Sequence, residues 1–101
     1  MEAGGNWPMA ARDEAETVAL KALAWVLGPS DLAEVFVGAT GLAPQDLARR
    51  AGEPEVLASV LDFVLMDDAW VLALARTEGL APEALTRARA ALPGGELPHW
   101  T

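Results

Sequence analysis

The segment Gly41-Leu42-Ala43-Pro44-Gln45-Asp46-Leu47-Ala48-Arg49 returns 38 positions later as Gly79-Leu80-Ala81-Pro82-Glu83-Ala84-Leu85-Thr86-Arg87. The same shift, without a gap, lays Leu23-Ala24-Trp25-Val26-Leu27 on Leu61-Asp62-Phe63-Val64-Leu65. It also sets Val18 on Val56, Leu32 on Trp70 and Phe36 on Leu74. A fixed period constrains the fold strongly, because a unit this short cannot bury its apolar face alone. The expectation is two copies of a small helical unit, residues 13–51 and 52–92, packed into one domain. Residues 1–12 read as a flexible lead and 93–101 as a flexible tail.

The spacing of apolar residues predicts helices throughout. From Asp13, Val18, Ala22 and Val26 fall on one stripe widened by Leu20, Leu23 and Leu27, and Gly28-Pro29 ends the run. Ser30 is expected to cap a second helix whose buried face is Leu32, Val35, Phe36 and Ala39, with Gly41 stopping it. Pro44 opens a short third helix ending at Gly52, and Pro54 opens a fourth carrying Val56, Leu57, Val60, Leu61, Val64 and Leu65. Apolar residues on more than one face make this fourth helix the expected centre of the bundle. Asp67 or Asp68 caps a fifth helix with Trp70, Val71 and Leu74, and Pro82 opens a sixth with Leu85, Ala88 and Leu92. No stretch alternates apolar and polar residues, so no strand is expected. The fold class is an all-α bundle of about six short helices with an internal pseudo-repeat.

Composition narrows function by exclusion. The chain has 101 residues, 52% of them hydrophobic and 22% charged, which is globular and enough for one modest core. Its net charge is −8. A surface of that sign repels phosphate backbones and anionic lipids, so neither nucleic acid nor membrane is an expected partner. Asp62, Asp67 and Asp68 interrupt the longest apolar run, and each would cost about 2.5–3.5 kcal/mol in a bilayer centre. The absence of cysteine removes disulfides and thiolate chemistry. Residues 1–12 lack the basic start and apolar stretch of a secretion signal, so the expected location is the cytoplasm.

Residues able to carry chemistry are sparse. His99 is the sole histidine, in a segment with no predicted support, and Ser59 has no histidine to activate it. Asp67-Asp68 reads as helix capping, because no second cluster supplies metal ligands at a usable spacing. Residues 42–61 superficially resemble a helix-turn-helix. The would-be recognition helix, however, holds no Lys, Arg, Asn or Gln and carries Glu53, Glu55 and Asp62. No enzyme, cofactor or metal is expected. The candidate partner-binding residues are Arg49, Arg50, Arg87 and Arg89 on the two short helices, with Arg76 nearby. Trp7 and Trp100 of the flanks join them, either folded back on the bundle or serving as anchors.

The runs Glu16-Thr17-Val18-Ala19-Leu20-Lys21-Ala22-Leu23-Ala24-Trp25, Thr40-Gly41-Leu42-Ala43-Pro44 and Val60-Leu61-Asp62-Phe63-Val64-Leu65-Met66-Asp67-Asp68 carry a resemblance. Over about residues 13–92 the chain resembles a family of small alphaproteobacterial proteins known as a domain of unknown function. The resemblance implies a bacterial, cytoplasmic, all-helical domain and transfers no catalytic or ligand residue. The expected role is a non-enzymatic protein-interaction or adaptor domain. The alternatives are a structural homo-oligomer, burying excess apolar surface of the fourth and fifth helices between copies, a small-apolar-ligand binder and, last, a DNA-binding helix-turn-helix protein.

Overall fold

A computed structural model describes the backbone of residues 2–92 and the side chains of residues 12–92 other than Pro44 and Ala48. These residues form six helices and no strand: α1 (Glu2–Leu27), α2 (Ala33–Thr40), α3 (Pro44–Arg49), α4 (Pro54–Val64), α5 (Asp68–Glu78) and α6 (Pro82–Ala91). The expected tail, residues 93–101, lies outside the described residues.

Glycine and proline set the boundaries that the sequence leads one to expect. Gly41 and Gly79 end α2 and α5 in the left-handed region, at φ 78 and 68, which a residue without Cβ adopts at no steric cost. The Gly41 N–H donates to Val37 O and the Gly79 N–H to Ala75 O. Pro44, Pro54 and Pro82 each open a helix, where a missing N–H costs no hydrogen bond. Asp67 caps α5, its Oδ1 accepting from the Ala69 N–H at 2.8 Å.

α4 is the centre. Val56, Leu57, Ala58, Val60, Leu61, Phe63 and Val64 are all buried, leaving Glu55 and Asp62 at the surface. α1 packs mainly on α6 and α4, and it contributes Ala15, Val18, Ala19, Ala22, Leu23, Trp25 and Val26 to the core. Phe36 meets Phe63 edge-on at 5.1 Å, and Phe63 stacks on Trp70 at 4.8 Å.

Five local expectations are corrected, one of them the width of the α1 stripe: Leu20 and Leu27 are exposed, so its buried face is narrower than the spacing suggested. α1 begins at Glu2, not Asp13, so residues 2–12 belong to the helix instead of forming a lead-in. Ser30 does not cap α2. Its hydroxyl donates to Val26 O and accepts from the Leu32 N–H, finishing α1 instead. On α2 only Phe36 is buried; Val35 is half exposed and Ala39 exposed, because this short helix packs on α1 and α4 along one narrow edge. α3 stops at Arg49, with Arg50 to Gly52 in a turn.

Asp31 holds φ 63 between α1 and α2, the one non-glycine residue in the left-handed region among the described residues. Cβ crowding there costs an L-residue about 1–2 kcal/mol, partly regained by glycine's greater freedom in the unfolded chain. Asp31→Gly is therefore expected to stabilise the chain by about 0.5 kcal/mol and Asp31→Val to destabilise it by more than about 1 kcal/mol, read from urea unfolding midpoints.

Candidate functional site

Small residues bring α1 and α6 together. Ala15, Ala19 and Ala22 on α1 and Ala88 on α6 are all buried, and such side chains let two helix backbones approach closely. Along one side of this seam the two helices part to leave a groove of about 820 Å³. Ala15, Val18 and Ala88 form its buried floor, and the second Gly-Leu-Ala-Pro turn closes it with Gly79, Leu80 and Ala81. Glu14, Thr17 and Lys21 line it from α1, spaced so that one helical face carries all three. Ala84, Arg87 and Ala91 line it from α6.

The arginines divide by what they touch. Arg49 pairs with Asp46 and Arg50 with Glu53, each within its own helix or the turn after it. Arg89 reaches across to α4: its Nε donates to Asp62 Oδ1 at 2.6 Å and its Nη2 to Oδ2 at 3.2 Å. That two-point contact joins α6 to α4, and the Arg89 side chain is 20% exposed. Arg87 makes no ion pair among the described residues, and neither does Lys21 across the groove. Arg12 and Arg76 also have none, but they do not line the groove.

Arg49 and Arg87 thus occupy different surroundings, although the repeat aligns them. Three positions upstream stands Asp46 in one segment and Ala84 in the other; the second segment carries its carboxylate four positions upstream instead, at Glu83, and no ion pair forms there. Of the arginines read as partner-binding, the groove gathers only Arg87. Lys21, the single lysine of the chain, joins it, and the sequence reading did not select it. Trp25 is buried in the core and Trp70 lies half-buried against Phe63. The Trp7 side chain, Trp100 and His99 lie outside the described residues.

The groove holds apolar surface and charge but no reactive constellation. Among the described residues no polar or charged side chain is buried, and no three of His, Cys, Asp or Glu come together as metal ligands would. The Ser30 hydroxyl donates to Val26 O at the end of α1, and the Ser59 hydroxyl to Glu55 O of its own helix. No helix among these residues is long and apolar enough to cross a membrane.

No curated protein and no solved structure gives a significant match to the chain. A family model described as "Protein of unknown function (DUF3572)" matches residues 12–95, and the chain belongs to that family.

Proposed function

We propose that the chain is a non-enzymatic protein-interaction or adaptor domain of the bacterial cytoplasm, with the α1–α6 groove as its working surface. One observation carries this reading. On a chain of net charge −8, two cations without an ion pair among the described residues flank the same apolar trough. Protein-recognition surfaces combine an apolar centre with a polar rim. The groove fits that description.

The pseudo-repeat is part of the proposal: two copies of one helical unit, with Asp46 three positions before the arginine of the first and Ala84 in that place in the second. Matching burial at the shift of 38 supports it. Val18 and Val56, Ala22 and Val60, Val26 and Val64, Phe36 and Leu74, and Leu47 and Leu85 are all buried in pairs.

A second reading, self-association, has its own support. Leu20, Ala24 and Leu27 form an exposed apolar stripe on α1, and Met66 and Leu72 are exposed beside α5. The α4 residues expected to contribute lie inside the core instead. A strictly monomeric chain in sedimentation at micromolar concentration removes this reading. DNA recognition has little support, since burial of α4 leaves Glu55 and Asp62 as its exposed charged residues, and these repel phosphate.

The function is tested by capture from bacterial cytosol on immobilised wild type, Arg49→Ala and the double variant Lys21→Glu/Arg87→Glu. A discrete partner is expected on the first two and not on the third. Equal recovery on all three contradicts the assignment of the groove.

A further inference from the structure

We propose that the groove takes an amphipathic helix of a partner protein, with its apolar stripe on the alanine-lined floor and its carboxylates at Lys21 and Arg87. The inference rests on the reading of this groove as the working surface and adds the chemistry of what fills it.

Three features select that occupant. The first is shape. A trough between two helices, floored by Ala15, Val18 and Ala88, has shallow side-chain relief, and larger residues projecting every three or four positions from a third helix fit such relief. The second is backbone chemistry. The described residues present no strand, so an extended peptide would find no sheet edge to pair with, whereas a helix satisfies its own backbone. The third is charge. Lys21 and Arg87 have no partner among the described residues, and both line the trough. Glu14 lies about 10 Å from Lys21 along the same face of α1, seven residues at the helical rise. It repels carboxylates there and confines the occupant's acidic groups to the Lys21 side.

The test uses two synthetic helical peptides of about 16 residues with the same leucine stripe, one with a polar face of glutamate and the other of lysine. Amide shifts in labelled full-length chain locate the contact. The glutamate peptide is expected to move Val18, Leu80, Ala84 and Ala88, with affinity that falls as salt rises. Lys21→Glu/Arg87→Glu is expected to weaken it about tenfold, exposed pairs contributing modestly and reversal adding repulsion. The lysine peptide is expected to fail on wild type and to bind this double variant, a gain that an unfolded variant could not show. Equal binding of both peptides to wild type, or shifts confined to the Leu20 or Leu72 surfaces, overturns the proposal. So does concentration-dependent self-association that moves the groove amides, which assigns the groove to a second copy. Binding of the glutamate peptide only to Trp100→Ala assigns it to the chain's own tail and likewise overturns it. If the glutamate peptide fails while groove-dependent capture from cytosol persists, the functional reading stands and only the acidic helix is wrong.

Discussion

Val60→Asp is expected to leave the chain without a cooperative fold at neutral pH and 25 °C. Val60 is fully buried on α4, seven of whose eleven residues are buried, and no buried polar or charged side chain accompanies it among the described residues. A carboxylate there finds no donor. It either ionises without compensation or keeps its proton; a fully buried carboxyl is shifted upward by as much as about 3–5 units, and holding the proton at pH 7, about 3 units above the unfolded value, costs about 4 kcal/mol before any loss of packing. A domain of this length has only about 5–15 kcal/mol to lose. The pH dependence has a definite sign. The introduced group's folded pKa is raised, so the folded state holds its proton more tightly than the unfolded chain. The deficit relative to wild type is therefore smallest below the unfolded value of about 3.9 and grows as pH rises from there toward the raised folded value. Circular dichroism at pH 7, with urea unfolding of both chains at pH 4 and 7, reads both parts. A cooperative variant within 1 kcal/mol of wild type at pH 7, on the order of a surface change, would contradict a central α4.

Phe63→Ala is the second large effect, with an expected loss of about 3–5 kcal/mol. The ring is buried between two others, edge-on to Phe36 and stacked on Trp70. Truncation leaves a cavity and removes two aromatic contacts worth about 0.5–1.5 kcal/mol each beyond their area. Both neighbours are held by separate helices, α2 and α5, which limits collapse of the space. A drop in melting temperature of roughly 15–30 °C follows for a chain of this size. Leu72→Ala, on the exposed side of α5, serves as the control with a change within about 0.5 kcal/mol. Comparable losses for the two substitutions would contradict the aromatic cluster.

Local chemistry made the helix boundaries legible. Gly41, Gly79, Pro44, Pro54 and Pro82 act through their own backbone geometry, and Asp67 caps through a residue two positions away. Core positions on α4 and α6, and Val18, Ala22, Leu23 and Val26 on α1, were legible from their spacing, whereas Leu20 and Leu27, which widened the expected α1 stripe, are exposed. Val35 was not legible, since its exposure depends on how little of α2 the rest of the bundle covers. Ser30 was ambiguous for a related reason: its hydroxyl sits between two helices and finishes the first.

The groove was legible only in part. Arg87 stood out by its repeat position, yet the same logic favoured Arg49, whose own sequence supplies Asp46 as a partner. The contrast of Asp46 with Ala84 was visible and would have separated them. Lys21 becomes part of the site only through the packing of α1 on α6, which no local pattern specifies. Arg89 looked equivalent to Arg87 from two positions away, and the turn of the helix sends it to Asp62 instead.

A photo-reactive residue placed at Ala84, in the groove, and separately at Thr77, exposed on α5, tests the assignment of the working surface most directly. Irradiated in the living source cell, the Ala84 position is expected to give a discrete cross-linked species that Arg87→Glu removes, and the Thr77 position none. Equal cross-linking at both positions, or a species at Ala84 indifferent to Arg87→Glu, would contradict the account.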